Sequence, residues 1–256
     1  MNKLAISVIM LVHRNDERLR KALTSVSFAN QIVIIDNQSG VDWAELQKNY
    51  PLEVRKLKEK IEDFSKVRNQ ALGYAKNEWV FFVDSDEEVA RGAEPQLIEL
   101  LSLANVSFGV VYRSDIFLGK QQHYGEAGHQ ALVRLGKKTR LHFTGMVHEI
   151  AVANGNCHYT RIELLHHAHS SISEFIDDIS GYAHIVARAK TTDFGQNLFE
   201  LICFPPVKLL YGLFIQGGIL DGWRGVVYAC CMSLHSLLVR IYRYEILANT
   251  AEPEKN

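Results

Sequence analysis

Short apolar runs alternate with segments of helical periodicity through the first hundred residues of the chain. The clearest runs are LAISVIMLV at 4–12, QIVIIDN at 31–37 and WVFFV at 79–83, and amphipathic segments lie between them. Such alternation is typical of a mostly parallel sheet with crossover helices. The sequence therefore predicts an α/β fold. Three later runs, with turns at Gly119 and Gly136, predict antiparallel strands at 108–120, 129–136 and 139–145.

The charge balance excludes one large class of partner. The 256 residues carry a formal net charge of -1, from 28 basic and 29 acidic side chains. A nucleic-acid-binding domain needs a basic footprint, so we predict no nucleic-acid partner. The cysteines lack the spacing of a zinc site or of a secreted disulfide framework, which favours a reducing compartment. They are Cys157, Cys203, Cys230 and Cys231.

The composition changes near residue 170. Ser171 and Glu174 have the spacing of a capping box and predict the start of a helix. The stretch 198–243 is more apolar than the rest of the chain, and aromatic residues and arginines flank it. This pattern is typical of helices that lie in a membrane interface, and a helical subdomain buried against the α/β domain is the alternative.

A bilayer-spanning helix needs about 20 uninterrupted apolar residues, and residues such as Pro205, Pro206 and Asp221 interrupt this stretch. We therefore predict association with a membrane surface through residues 198–243. The chain divides into an α/β domain at 1–170, a helical extension at 171–250 and a disordered tail at 251–256.

Two acidic residues, Asp84 and Asp86, directly follow the run at 79–83. Ligands of parallel α/β sheets bind beyond the carboxyl ends of the strands. Residues two apart in an extended chain point the same way, so these carboxylates repel each other unless a cation lies between them. Carboxylate oxygens favour Mg²⁺ or Mn²⁺. Asp36 ends an earlier strand and is placed to accept hydrogen bonds from a ribose or a base. The alternative is that the acids cap the next helix, a role that suits Glu87 and Glu88.

Four segments in this order resemble the family-2 inverting glycosyltransferases of GT-A fold: ISVIMLVHRNDERL, IVIIDNQSG, DFSKVRNQALGYAKNEWVFFVDSDEEV and FTGMVHEI. The likeness is strongest to the branch that adds glucose or a similar hexose to the inner core of bacterial lipopolysaccharide, and it extends to GGILDGWRGVVYA near the C-terminus. It implies a Rossmann-like nucleotide-sugar-binding domain with a C-terminal α-helical membrane-associated extension. The first segment departs from the family pattern, reading HRNDE where N-E-E is more usual.

The resemblance implies a donor site built from five residues. Asp36 would contact the uridine, and Asp84 would contact the ribose and the metal. Asp86 would hold the metal that bridges the diphosphate. Arg68 and Asn69 match the R-N pair of the family and would shape the nucleotide pocket.

The resemblance also implies a base and a further metal ligand. Inversion takes one displacement at the anomeric carbon, assisted by a base that takes the proton of the acceptor hydroxyl. The family pattern assigns that base to Glu149 in TGMVHEI, and Asp115 is the reserve candidate. His166, in LLHHAHSS, aligns with the histidine that often completes the metal site of GT-A enzymes.

These implications together predict a metal-dependent hexosyltransferase that uses UDP-glucose or a related UDP-sugar with Mg²⁺ or Mn²⁺. The acceptor would be a lipid-linked oligosaccharide, the lipopolysaccharide inner core, and the enzyme would be peripheral on the cytoplasmic side of the bacterial inner membrane. A phosphatase of the haloacid dehalogenase type fits poorly, because Glu88 stands where that pattern needs Thr or Val. The remaining alternative is a non-catalytic, membrane-bound carbohydrate-binding or scaffold protein of the same fold.

Overall fold

A computed structural model describes residues 3–59, 61, 63–145, 150–169, 171–189 and 193–251. The chain is an α/β protein that divides into two units. The first unit consists of Met1–Ser114 and Gln130–His167, and the second consists of Asp115–His129 and Ala168–Asn256. Residues 115–129 lie within the first domain predicted from the sequence, whereas here they belong to the helical unit. Of the predicted tail at 251–256, Ala251 ends the last helix, and the other residues lie outside the described part of the chain.

Four parallel strands begin the sheet of the first unit. They are β1 (Leu4–Val12), β2 (Ala29–Asp36), β3 (Leu52–Lys56) and β4 (Trp79–Phe82), and they lie in the order β3-β2-β1-β4. The connecting helices are α1 (Glu17–Ser25), α2 (Trp43–Leu46) and α3 (Phe64–Leu72). This half of the sheet has the parallel arrangement with crossover helices that the sequence predicts.

The rest of the sheet is antiparallel and continues in the order β4-β8-β6-β11-β5. Its elements are β5 (Glu87–Val89), α4 (Ala93–Ser102), β6 (Phe108–Phe117), β7 (Lys120–Gln121), β8 (Gln130–Lys137) and β11 (Cys157–His166). β9 (Leu141–Thr144) and β10 (Ile150–Ala153) pair with each other in a separate two-stranded sheet. The predicted strands at 108–120, 129–136 and 139–145 correspond to β6 with β7, to β8 and to β9. β5 and β11 are not predicted from the sequence.

Strands β1, β2 and β4 are largely buried on both faces, which fixes where their ends lie. On one face, Val8 and Met10 of β1 pack in a cluster with Leu23 of α1. On the other face, Ile9 packs in a cluster with Ala71 of α3. A strand covered on both faces cannot change its register without exposing apolar side chains or burying polar ones. The carboxyl ends of β1, β2 and β4 are therefore held at one edge of the sheet.

The second unit is helical. Its main helices are α5 (Ile172–Ala189), α6 (Phe194–Leu210) and α7 (Trp223–Ala251), with a π-helical turn at Tyr211–Ile215 and 3₁₀ turns at Gly125–Ala127 and Gly218–Asp221. The hydroxyl of Ser171 accepts a hydrogen bond from the Glu174 N–H at 3.1 Å, which confirms the predicted helix start. Phe117 packs edge-on against Phe175 of α5 and Tyr228 of α7. These contacts are the reason that residues 115–129 belong to the helical unit.

α6 buries polar side chains and exposes apolar ones, which is the opposite of a helix on the surface of a soluble protein. Asn197 and Glu200 are buried, and Glu200 accepts a hydrogen bond at 2.7 Å from buried Arg243 of α7. Large apolar side chains of the region are exposed instead: Phe194, Leu198, Phe199, Ile202, Phe204, Val207, Leu210, Tyr211, Phe214, Ile215, Ile219, Leu220 and Trp223. The helix also continues through Pro205 and Pro206, which therefore do not end it. By length and composition alone, Phe194–Ile215 and Trp223–Asn249 are long and apolar enough to cross a membrane.

Candidate active site

The paired acids of the first unit lie where the sequence analysis expects them. Asp84 and Asp86 follow the end of β4, between it and β5. β4 runs parallel to β1, and Val12 of β1 pairs with Asp36 at the end of β2. All three acidic residues therefore stand at or beyond the carboxyl edge of the parallel strands, the edge at which α/β sheets bind ligands.

Two arginines hold the Asp84 carboxylate. Arg68 of α3 donates to Oδ1 at 2.8 Å, and Arg134 of β8 lies 3.1 Å from Oδ2. The guanidinium of Arg68 also lies over the rings of Phe82 and Phe143, 5.5 and 5.7 Å from their centroids. Burial acts to raise the pKa of Asp84, but the charges of Arg134 and Arg68 outweigh it and hold that pKa well below its usual range. Asp84 is therefore ionised at neutral pH.

Asp86 and His166 face each other across the sheet edge. His166 Nε2 lies 3.6 Å from Asp86 Oδ2. The backbone carbonyl of Asp86 also accepts a hydrogen bond from the N–H of His167 at 2.8 Å, which ties the acidic turn to the end of β11. Burial acts to raise the pKa of Asp86, but the neighbouring His166 imidazole outweighs it, so the net shift is downward. The carboxylate is thus available as a ligand at neutral pH.

The chemistry of this pair fits a divalent ion. A separation of 3.6 Å exceeds an ordinary hydrogen bond, and it suits two ligands that each bind one ion at about 2.1 Å. A carboxylate oxygen and an imidazole nitrogen are acceptable ligands of Mn²⁺. The described residues contain no cluster of three or more His, Cys, Asp or Glu side chains placed to hold an ion. The structure thus brings together two of the three predicted ligands, Asp86 and His166, and pairs the third, Asp84, with arginines.

Glu87 lies inside the site, in contrast to its interpretation as a surface helix cap. Its side chain is fully buried, and Oε2 accepts the backbone N–H of Asp84 at 2.9 Å. Arg113 of β6 lies 3.7 Å from Oε1. Burial and the charge of Asp84 raise the pKa of Glu87. The cap interpretation is wrong for this residue because the segment after Asp86 pairs with β11 as a short strand and does not begin a helix.

Asp36 organises the loop that follows β2. Its Oδ1 accepts hydrogen bonds from the backbone N–H and the hydroxyl of Ser39, at 2.9 and 2.6 Å. Its Oδ2 accepts from the indole N–H of Trp43 at 2.8 Å. Burial acts to raise the pKa of Asp36, but these hydrogen bonds outweigh it and lower that pKa. Each carboxylate oxygen has two lone pairs, so these bonds leave room for the predicted contact with a nucleotide.

Asn69 joins α3 to β9. Its side-chain amide donates to the carbonyl of Phe143 and accepts from the N–H of Phe143, both at 2.8 Å. A reciprocal pair of this kind fixes the helix against the strand. Because Arg68 is the preceding residue, the same pair sets the position from which Arg68 reaches Asp84.

Of the two candidate bases, Asp115 lies in the described part of the chain and Glu149 does not. Glu149, the predicted base, lies outside the described residues. Asp115, the reserve candidate, is a buried residue of the second unit, and its Oδ2 accepts a hydrogen bond from the hydroxyl of Tyr228 at 2.8 Å.

Three charged residues of this site are not predicted from the sequence: Arg134, Arg113 and Glu87. Arg134 and Arg113 lie on antiparallel strands, β8 and β6, that enter the sheet from distant parts of the chain. The one available signal was an arginine inside each predicted strand, in HQALVRLG and FGVVYRSDIFLGK, because a charge on a mostly buried strand needs a partner.

The chain is similar in sequence to known glycosyltransferases. The chain is 25% identical over 260 residues to the lipopolysaccharide core biosynthesis glycosyltransferase LpsC of Rhizobium meliloti (strain 1021), covering 98% of this chain and 96% of that protein. It is 32% identical over 133 residues to the poly(ribitol-phosphate) beta-N-acetylglucosaminyltransferase TarP of Staphylococcus aureus (strain N315). That second similarity covers 48% of this chain and 37% of that protein.

The fold is similar to that of a solved glycosyltransferase. The mannosyltransferase PcManGT from Pyrobaculum calidifontis, solved in complex with GDP-Man and Mn²⁺, superposes with a TM-score of 0.52 at 12% sequence identity. The match covers 94% of this chain and 87% of that chain. The model of the family described as Glycosyl transferase family 2 matches residues 7–163, which is more than half of the sequence. The predicted family is thereby confirmed, and the chain belongs to glycosyl transferase family 2.

Proposed function

We propose that this glycosyltransferase moves a hexose, glucose in the first place, from a UDP-sugar to a lipid-linked acceptor with inversion at the anomeric carbon. The observation that carries the proposal is the pair of ionised carboxylates at the sheet edge, with Asp86 facing His166 and Asp84 held between two arginines. A diphosphate with its bound cation would need negative groups to bind the cation and positive groups to bind the phosphates. The likeness to a lipopolysaccharide core enzyme over nearly the whole chain supports the lipopolysaccharide inner core as acceptor.

The donor side follows from the charges of the site. Asp86 and His166 would hold Mg²⁺ or Mn²⁺, with Asp84 as a further ligand if it exchanges one arginine partner. The bound ion would stabilise the charge of the leaving diphosphate. The mannosyltransferase of similar fold was solved with GDP-Man and Mn²⁺, and we propose the same two classes of ligand here. Asp36 would recognise the uridine, and Arg68, fixed through Asn69, would line the nucleotide pocket.

The transfer itself needs one base. That base takes the proton of the acceptor hydroxyl as the hydroxyl oxygen bonds to the anomeric carbon, and the bond from that carbon to the diphosphate breaks so that UDP leaves. We assign the base to Glu149 on the family pattern and keep Asp115 as reserve. Asp115 is buried and its Oδ2 already accepts a hydrogen bond from the hydroxyl of Tyr228, which favours Glu149.

A donor assay tests the proposal on the full-length protein in detergent. We expect transfer of labelled hexose from UDP-glucose, more than from GDP-mannose, to truncated lipopolysaccharide. Glu149→Gln is expected to lower the rate by about 10²–10⁴-fold, while Asp115→Asn keeps it. The reverse order of the two variants would reassign the base. A folded protein that binds no UDP-sugar and transfers nothing would instead support the non-catalytic scaffold.

The surface of α6 supports the membrane part of the proposal. Burying polar groups and exposing apolar ones is favourable only if the exposed side leaves water. We propose that the exposed side chains between Phe194 and Trp223 enter the lipid interface on the cytoplasmic side of the bacterial inner membrane, as a peripheral attachment.

Sedimentation with vesicles tests the attachment. Phe199, Ile202 and Phe214 are 63%, 65% and 62% exposed, so replacing all three by Gln removes about 3 kcal/mol or more of apolar transfer, equivalent to about 100-fold in partition. The matched control is Ile98→Gln, at an apolar side chain of the first unit that is 54% exposed. The triple variant is expected in the supernatant and the control in the pellet. A triple variant that still pellets with the vesicles would refute the proposal that this surface binds the membrane.

A further inference from the structure

The buried carboxylate of Glu87 closes a reciprocal turn around the two acids of the active site. The backbone N–H of Glu87 donates to the carbonyl of Asp84 at 3.0 Å, and the backbone N–H of Asp84 donates to Oε2 of Glu87 at 2.9 Å. The four residues 84–87 are thus fixed by two hydrogen bonds of opposite direction. A turn held at both ends leaves the carboxylates of Asp84 and Asp86 little freedom of direction.

Glu87 also pairs with His166, the third residue of the site. Glu87 pairs with His166 in the antiparallel ladder between β5 and β11, and the neighbouring Asp86 carbonyl accepts from the N–H of His167. Glu87 therefore hydrogen-bonds to Asp84, directly follows Asp86 in the chain and pairs with His166.

The environment of Glu87 shows that its role is not that of an ordinary ion pair. Its side chain is fully buried, yet Oε1 has no hydrogen-bond partner among the described residues, and the guanidinium of Arg113 lies 3.7 Å away. A carboxylate buried for stability alone would be expected to use both oxygens, because an unsatisfied buried polar atom costs free energy. Within the described part of the chain, the bond to the Asp84 N–H is thus the one hydrogen bond that its side chain makes.

We propose that Glu87 is a positioning residue that orients the Asp84 and Asp86 carboxylates toward the diphosphate of the donor and its divalent ion. This inference rests on the proposed function of the site. Partners that orient metal ligands from behind typically change metal affinity or activity by about 10–100-fold when they are removed. Glu87 acts through the hydrogen bond of its Oε2 and not through its charge.

Two variants separate the hydrogen bond from the charge. Glu87→Gln keeps an oxygen of the same reach and removes the charge, whereas Glu87→Asp keeps the charge and is one methylene too short to reach the Asp84 N–H. Titration calorimetry with UDP, with and without Mn²⁺, gives a readout that does not depend on turnover. The matched control is Glu88→Ala, whose side chain is 34% exposed and faces His167 at 3.3 Å.

We expect Glu87→Gln to bind UDP and Mn²⁺ within about threefold of wild type and Glu87→Asp to lose about tenfold or more. In the transfer assay, Glu87→Asp is expected to raise the KM for the UDP-sugar more than it lowers kcat. Wild-type affinity in Glu87→Asp, or equal losses in both variants, would overturn the positioning role. If wild type itself shows no Mn²⁺-dependent UDP binding, the proposed function fails and not this inference alone.

Discussion

Replacing Asp84 by Asn removes the charge that two arginines share. Arg68 and Arg134 contact it at 2.8 and 3.1 Å, and their side chains are 4% and 13% exposed. Hydrogen bonds to charged groups contribute about 1.5–3 kcal/mol each, and breaking a buried ion pair costs about 3–5 kcal/mol. Asp84 is 24% exposed, and Asn keeps one acceptor oxygen. We therefore expect the low end of the range for a buried ion pair, a loss of about 3 kcal/mol in the free energy of unfolding at pH 7.

Urea unfolding of the full chain in detergent measures this loss. Trp43 and Trp79 are buried in the first unit, so their fluorescence reports on the part of the chain that holds Asp84. The control is Asp177→Asn, at an exposed position of α5, which is expected to unfold like wild type. A loss of less than about 1 kcal/mol for Asp84→Asn would show that the arginines do not depend on this carboxylate.

The pH dependence gives the same prediction a second test. The pKa of Asp84 is lowered in the folded state, so the stability it contributes is fully present above the unfolded value of about 3.9 and is lost as the pH falls toward the folded value. The difference between wild type and Asp84→Asn should therefore be constant from pH 7 to about pH 5 and shrink below about pH 4. A difference that grows on acidification would contradict the assigned direction of the shift.

Substitutions at four further positions test contacts elsewhere in the chain. A Cβ at Gly225 would lie 1.9 Å from the backbone oxygen of Gly218, so Gly225→Ala should lower the melting temperature. The control is Gly181→Ala, which has open space in α5 and should raise the free energy of unfolding by about 0.5–1 kcal/mol. Equal effects of the two substitutions would contradict the close approach of Gly225 to Gly218. Asn69→Ala breaks two hydrogen bonds to one backbone unit and should cost about 2–3 kcal/mol in urea unfolding, and a neutral result would show that the pairing is dispensable. Asp36→Ala should lower the free energy of unfolding by about 2 kcal/mol, and Asp36→Asn should lower it less, because Asn keeps an acceptor for the loop after β2. The opposite order would refute the role of Asp36 in holding that loop.

The parts of the fold that depend on local pattern were predictable. β1, β2 and β4 are continuous apolar runs, and the position of Asp84 and Asp86 at the sheet edge follows from the end of such a run. The start of α5 at Ser171 is likewise a local signal. Each of these predictions needs only neighbouring residues, and the structure agrees with each.

The parts that depend on distant pairing were not predictable. β5 is three residues long and pairs with β11 about 75 residues later in the chain, so neither its existence nor the burial of Glu87 is visible in the sequence. Arg134 reaches Asp84 only because β8 pairs antiparallel with β4. The exposure of apolar side chains on α6 is also a tertiary property, because the buried pair of Glu200 and Arg243 decides which face of the helix packs inward.

The central claim is that Asp86 and His166 hold a divalent ion at which a UDP-sugar binds. Titration calorimetry of full-length wild type and Asp86→Ala with UDP, with and without Mn²⁺, tests it most directly. We predict that wild type binds UDP at least about tenfold more tightly with Mn²⁺ than without and that Asp86→Ala loses this dependence while remaining folded. Binding of UDP that is equally tight with and without Mn²⁺, or a metal dependence that survives in Asp86→Ala, would contradict it.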